Sequence, residues 1–365
     1  MWFFVYLSVF IIAFLLSAIL TPIARRVAFR LNIVDHPGEE RKIHTETKPY
    51  LGGAAIFIAF NLVIGIGLFC ALTPVSQSLT FLSSNVTQYL SNVKSVLPKL
   101  VGLFIGSVII FLLGLIDDMK RLSPVKKLIG QIIAGLIVIL FGVRIELFIP
   151  NIYLSGALTL LWLVGITNAF NLLDNMDGLS SGVAAIAALI FALFSIQFNH
   201  YFIAVILLAL CGAIFGFLPY NFYPSKIFMG DAGSMFIGFA LSTLTVLSSY
   251  YSTDAPTFLP VIMPLLVLSV PIFDTISVVI IRIRRHLPVY QGDTNHFSHR
   301  LVALGMTHRQ AVLTIYLVTL CIGLSAMLLR HLNWFESILI LIQSISIFII
   351  IAFLETAGRK RNSKT

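Results

Sequence analysis

Apolar residues along this chain come in long unbroken runs. They lack both the every-second-position alternation of barrel strands and the one-faced stripe of a water-soluble helix. Runs of about 18–22 apolar residues match the length needed to cross ~30 Å of hydrocarbon. Eleven such segments lie near 2–22, 51–72, 100–116, 126–143, 156–172, 180–197, 201–218, 232–250, 258–281, 310–329 and 335–354. They predict an all-α polytopic membrane protein, with a single integral-membrane domain over 1–354 and a basic tail over 355–365.

No basic residue precedes the first run, and Arg25, Arg26 and Arg30 follow it, so it reads as an uncleaved helix with its N-terminus outside. Alternation then places 23–50, 117–127, 173–179, 219–231, 282–309 and the C-terminal tail in the cytoplasm. Those stretches hold 20 of the 24 Lys and Arg residues, leaving Lys94, Lys99, Arg144 and Arg330 on the other side. The polar 73–98 loop is expected outside. With 58% hydrophobic and 11% charged residues, both a soluble globular fold and a disordered chain are excluded. The net charge of +9 belongs to the cytoplasmic loops and does not call for nucleic acid. Cys70, Cys211 and Cys321 sit in separate apolar runs without metal or disulfide spacing.

Candidate chemistry is concentrated on the predicted cytoplasmic side. Asp117 and Asp118 close one helix; Asn168, Asn171, Asp174, Asn175 and Asp177 surround the end of another; Asp231 stands just before a third. Capping of helix N-termini accounts for single residues of this kind. Five carboxylates on one membrane face point instead to hard-oxygen chemistry suited to Mg²⁺, with Mn²⁺ as the alternative. Arg282, Arg284 and Arg285, then His296, His299 and Arg300, form a basic loop matched to phosphate oxygens. A surface reading lipid charge explains those first arginines equally well. Gly52 and Gly53, with Lys48 and His44 nearby, open a helix either as a phosphate approach or as a helix-packing contact. Asp274 lies deeper, as a polar contact between helices. A secondary transporter would place its ionisable groups near the bilayer midplane, and a lipid-binding scaffold would have no use for the carboxylates.

Taken in order, the Asp117–Asp118 pair, NAFNLLDNMDGL at 168–179, FMGDAGS at 228–234, RKIH…KPYLGG at 41–53 and NHFSHRLVALGMTHRQ at 295–310 resemble the polyprenyl-phosphate N-acetylhexosamine-1-phosphate transferases. The wording of the loops resembles the GlcNAc-1-phosphate branch, which starts teichoic-acid, O-antigen lipopolysaccharide or other cell-surface polymers, more than the related phospho-MurNAc-pentapeptide translocase. The resemblance implies transfer of a sugar-1-phosphate from a UDP-N-acetylhexosamine to polyprenyl (undecaprenyl) phosphate at the inner (plasma) membrane, Mg²⁺-dependent and releasing UMP. It implies Asn171 and Asp231 as metal ligands and Asp117, Asp118, Asp174 and Asp177 as catalytic carboxylates. Lys48, Asn168, His296, His299 and Arg300 become the substrate-binding set, and a homodimer is compatible with it. The family pattern His-Ile-His-His-Arg reads His296-Phe297-Ser298-His299-Arg300 here, so Ser298 replaces its middle histidine. In-line attack by the carrier phosphate and a two-step route through an aspartyl-phosphate both fit these residues.

Overall fold

The computed structural model describes residues 2–35, 47–73, 93–146, 149–248, 250, 256–288 and 295–362. His44, Arg41 and most of the expected outer loop lie outside the described residues. In chain order, α1 (Trp2–Arg30) leads into a two-residue antiparallel ribbon, β1 (Val34–Asp35) with β2 (Lys48–Pro49), where Val34 faces Pro49 and Asp35 faces Lys48. Then follow α2 (Gly52–Leu72), α3 (Val93–Lys120), α4 (Pro124–Leu140), α5 (Ile152–Leu173), α6 (Leu179–Gln197), α7 (Tyr201–Asn221) and α8 (Gly230–Leu247). A 3₁₀ turn at Leu259–Ile262 precedes α9 (Met263–Val267) and α10 (Ser269–Arg284), and α11 (Phe297–Ala303), α12 (His308–Leu328) and α13 (Trp334–Asn362) complete the chain.

Every one of the eleven expected segments is helical. Among the described residues nine helices are long and apolar enough to cross a membrane, or ten when α9 and α10 count as one span. The segment expected as a continuous span at 258–281 is instead broken, with a 66° bend between its halves. Proline is the cause: Pro264 and Pro271 offer no amide hydrogen, and a helix cannot run straight through the missing bonds and ring clashes. The 126–143 segment becomes the 17-residue α4, about 25 Å long at 1.5 Å per residue and so shorter than a full bilayer core. Helix ends also run past the apolar stretches. Asp117 and Asp118 lie in the last turn of α3, Arg25 to Arg30 within α1, and the start of the basic tail within α13. Hydropathy stops at the first charge, whereas backbone hydrogen bonding continues beyond it.

Burial sorts the helices. In α8 every residue from Ala232 to Thr245 is buried, as expected for a helix apolar on all sides. α6 and α7 pack beside it and share its core through Phe191, Phe194, Phe217 and Phe236. By contrast, Phe3, Ile19, Phe69, Leu140, Ile350 and Phe353 project outward, the pattern of helices facing lipid. Glycine allows the closest approach near the site. A Cβ on Gly53 would overlap the backbone of Gly233, and one on Gly114 would lie 2.5 Å from Ala232, so α2, α3 and α8 meet backbone to backbone around the start of α8.

Candidate active site

Four helix ends converge where α8 begins: the C-terminal turns of α3 and α5 and the N-terminal turns of α4 and α8. Lys127, in the first turn of α4, places its Nζ 2.5 Å from Asp117 Oδ2 and 2.6 Å from Asp231 Oδ2. The other Asp117 oxygen accepts the Leu122 amide at 2.5 Å. From the end of α5, Asn171 donates through Nδ2 to Asp231 Oδ1 (2.8 Å) and to Ser234 Oγ (3.0 Å). Asp231 keeps 31% of its side chain exposed and Asp117 only 8%, so Asp231 is the carboxylate an incoming ligand meets. Asp118 faces inward. Its two oxygens accept the amides of Asp231 (2.8 Å) and Ala232 (3.1 Å), capping α8 as a carboxylate does at a helix N-terminus. Gly230, at φ +72°, completes this turn; a Cβ there would sit 2.6 Å from Asp118 Oδ2.

A second layer surrounds these groups. Asn168, one turn deeper on α5, exchanges hydrogen bonds with Gln131 of α4 (2.6 and 3.2 Å) and donates to the Val164 carbonyl (2.8 Å). Asp177 accepts the Ser225 amide (2.9 Å) and faces Lys48 Nζ at 3.4 Å, while Lys48 donates to Ser225 Oγ at 2.8 Å and lies over the Phe228 ring. This pair ties β2 to the loop before α8. Gly52 and Gly53 donate their amides to the Phe228 and Met229 carbonyls (3.0 and 2.9 Å). With those donors engaged, the glycines act in packing and do not form the phosphate cradle that was one expectation.

The basic loop is arranged differently. His296 Nδ1 pairs with Asp274 Oδ2 at 2.8 Å, and the Phe297 amide donates to Asp274 Oδ1 at 2.6 Å. Asp274 is thus the anchor of the segment leading into α11, a more specific contact than the helix–helix one expected of it. Ser298 donates to Asn175 Oδ1 at 2.5 Å, which brings the loop against the end of α5. His299 is half-buried, its ring 6.4 Å from that of His296. Arg300 departs from the phosphate fork expected of it. Its guanidinium is buried and donates to Glu355 of α13 (3.0 Å), Ser277 of α10 (3.0 and 3.1 Å) and the Asn295 carbonyl (2.6 Å). A buried guanidinium must find acceptors, and here the fold supplies them.

Asp117 and Asp231 share one ammonium, that of Lys127, with Asp118 close to both carboxylates and Asp174 close to Asp231. Half-buried Asp174 has no hydrogen bond to its carboxyl among the described residues. Burial pushes that carboxyl well above the usual carboxylate range, and the negative charges of Asp231 and Asp177 push it the same way. Excess negative charge and oxygen-only donors fit a hard divalent cation. Among the described residues no group of three His, Cys, Asp or Glu side chains encloses a metal. Mg²⁺, however, takes one or two protein carboxylates and completes its shell with water and phosphate, and the Asp231–Asn171 pair suits that mode. Sequence reading did not single out Lys127, Gln131, Ser225 or Glu355. Only the adjacency of Lys127 to the Asp117–Asp118 segment pointed to the first of them.

Comparison with known proteins agrees with this architecture. The family model described as Glycosyl transferase family 4 matches residues 100–249, which run from α3 to the end of α8. The chain is 34% identical to a probable undecaprenyl-phosphate N-acetylglucosaminyl 1-phosphate transferase of Bacillus subtilis (strain 168), covering 95% of this chain and 89% of that protein. It is 32% identical to decaprenyl-phosphate N-acetylglucosaminephosphotransferase of Mycobacterium tuberculosis (strain CDC 1551 / Oshkosh), over 83% of this chain and 78% of the relative. Identity to the phospho-N-acetylmuramoyl-pentapeptide-transferase of Bacillus velezensis is 34% over 66% of this chain. A bundle of membrane-spanning helices with carboxylates gathered at one end is the architecture of an integral-membrane transferase. This chain belongs to glycosyl transferase family 4, the family of polyprenyl-phosphate sugar-1-phosphate transferases.

Proposed function

We propose that the protein transfers GlcNAc-1-phosphate from UDP-GlcNAc to a membrane polyprenyl phosphate, at the site bounded by Asp117, Lys127, Asn171 and Asp231. The observation that carries this reading is the Lys127 ammonium held between two carboxylates at 2.5 and 2.6 Å, a charge arrangement ready to accept a phosphate and a divalent cation together. An oxygen of the carrier phosphate forms a bond to the β-phosphorus of the nucleotide sugar. The bond from that phosphorus to the α-phosphate oxygen breaks, and UMP leaves with the electron pair. A phosphate monoester is mostly dianionic at neutral pH, so Asp117 has little proton to remove. With both of its oxygens hydrogen-bonded, it positions Lys127, which in turn orients the attacking phosphate as a mobile point charge. Asp231 and Asn171 would hold Mg²⁺, which when bound neutralises the diphosphate and improves the leaving group. Asp118 fixes Asp231 through the α8 amides, and Asp274 holds His296 toward the same end of the bundle.

UDP-sugars are made in the cytoplasm, and the basic residues of the chain favour that side for the site end. The plasma membrane of a bacterium is the setting this implies, with the product starting a cell-surface polymer. The test uses purified full-length protein in bilayer discs with undecaprenyl phosphate and Mg²⁺. UDP-GlcNAc is expected to yield UMP and a lipid-linked sugar phosphate in equal amounts, with the reaction lost on chelation. Turnover of UDP-MurNAc-pentapeptide in preference to UDP-GlcNAc would sink the donor assignment, and undiminished turnover after chelation would remove the metal.

A further inference from the structure

At the end of the bundle opposite the carboxylates, a cavity of about 550 Å³ opens among the starts or ends of α3, α4, α8 and α9 and the middle of α5. Cations are scarce at this end, where Lys94, Lys99, Arg144 and Arg330 are the basic residues the topology leaves there. Two of them, Lys99 and Arg144, line the cavity. Lys99 has no hydrogen-bond or ion-pair partner among the described residues, and Arg144 reaches only the exposed Glu146, at 3.8 Å. Among the described residues, Arg144 Nε is buried with no acceptor, and so is the hydroxyl of Tyr250, a lining residue just 2% exposed.

Leaving buried donors unmet is costly, because each has given up water without gaining an acceptor. Two unmet buried donors, one of them on a guanidinium, with the partly exposed Lys99 ammonium beside them, ask for a ligand rich in anionic oxygen. The rest of the wall carries the Glu146 carboxylate and the Thr245 and Ser248 hydroxyls and is otherwise mostly apolar, and one of its members, Leu265, is half exposed. From these features we infer that this cavity is a second lipid site, which seats the phosphate of an anionic phospholipid headgroup on Lys99, Arg144 and Tyr250 and lays its chain against Leu265 and Val261. It is separate from the transfer site, and the inference does not rest on which sugar is transferred.

The test follows thermal unfolding of the detergent-purified chain during titration with phosphatidylglycerol, phosphatidylcholine or inorganic phosphate. Phosphatidylglycerol is expected to stabilise the wild type at a lower concentration than phosphatidylcholine, with inorganic phosphate inert. Removing each cation should raise the phosphatidylglycerol midpoint about fivefold, so Lys99→Ala with Arg144→Gln should raise it about 25-fold, and Tyr250→Phe should raise it to a smaller extent. Asp231→Asn should leave the midpoint unchanged, which separates this site from the catalytic end. UMP release by the doubly substituted protein checks that it is folded, and Tyr250→Phe carries the test if it is not. An unchanged midpoint in folded variants would overturn the site. Equal stabilisation by inorganic phosphate, dependent on the same residues, would overturn the lipid as its occupant.

Discussion

Two groups of charged residues sit at one end of this molecule and are managed in opposite ways. Around the start of α8, Asp117 and Asp231 crowd one ammonium with Asp174 near Asp231, and Asp231 stays open to solvent. In the 295–300 segment the fold supplies the partners: Asp274 for His296, and Glu355, Ser277 and a backbone carbonyl for Arg300. Both groups carry the residue types of phosphate chemistry. What separates them is whether the partners are already present. A charge left under-compensated is available to a ligand, whereas one fully paired and buried serves the architecture, and removing either partner leaves the other stranded. On this comparison the His296–Arg300 segment is held within the fold, and the carboxylate end is the one left open to a ligand.

The largest expected effect tests the open group. Asp231→Asn keeps the shape and removes the charge, so transfer should fall by about 10²–10³-fold while thermal stability changes little. Near-normal UMP release with an ordinary Mg²⁺ titration would take Asp231 out of the metal shell. Next comes Lys127→Ala, which leaves Asp117 and Asp231 facing each other without the ammonium. Activity should drop by about 10²-fold, with less Mg²⁺ needed for half-maximal rate, because the two carboxylates lose a competing cation. An unaltered metal requirement would mean that Lys127 does not share the cation's place.

The paired group should respond in stability instead. Arg300→Lys loses the Nε bond to Glu355 and the paired bonds to Ser277, and should cost about 1.5–3 kcal/mol of stability. The folded fraction should keep nearly its full kcat and its KM for the nucleotide sugar. A large KM increase at unchanged stability would restore Arg300 as a phosphate ligand and break the comparison.

Asp174 gives a pH signature to the same contrast. Its carboxyl is raised in the folded protein, so folding takes up a proton. That contribution is full below the ordinary carboxylate pKa and disappears as the pH rises through the raised value. Metal-free protein should lose thermal stability over that rise, and Asp174→Asn should flatten the loss; parallel profiles for both proteins would show that Asp174 is ionised in the fold. The smallest effect belongs to Ser298→Ala, which removes one hydrogen bond to Asn175 and should cost about 1 kcal/mol with activity nearly intact.

Eleven helical segments, and the gathering of polar motifs at their ends, were legible in the chain, because hydropathy is a local property and a membrane punishes any unsatisfied backbone wherever it falls. Residue order alone also made the family recognisable, through short motifs that carry their chemistry in adjacent positions. Tertiary structure decided which of those residues are available. Lys127 meets Asp231 across 104 positions, Asp118 caps α8 across 113, and Arg300 finds Glu355 across 55. No local pattern announces such pairings: a lysine near the start of a helix looks the same in sequence whether it faces water or bridges two carboxylates. The break between α9 and α10 lies between these cases, since its prolines are visible in the chain but its 66° angle is not. Chemistry is written in residue types, which sequence displays. Availability depends on which donors and acceptors are already satisfied, and that is settled only when distant helices meet.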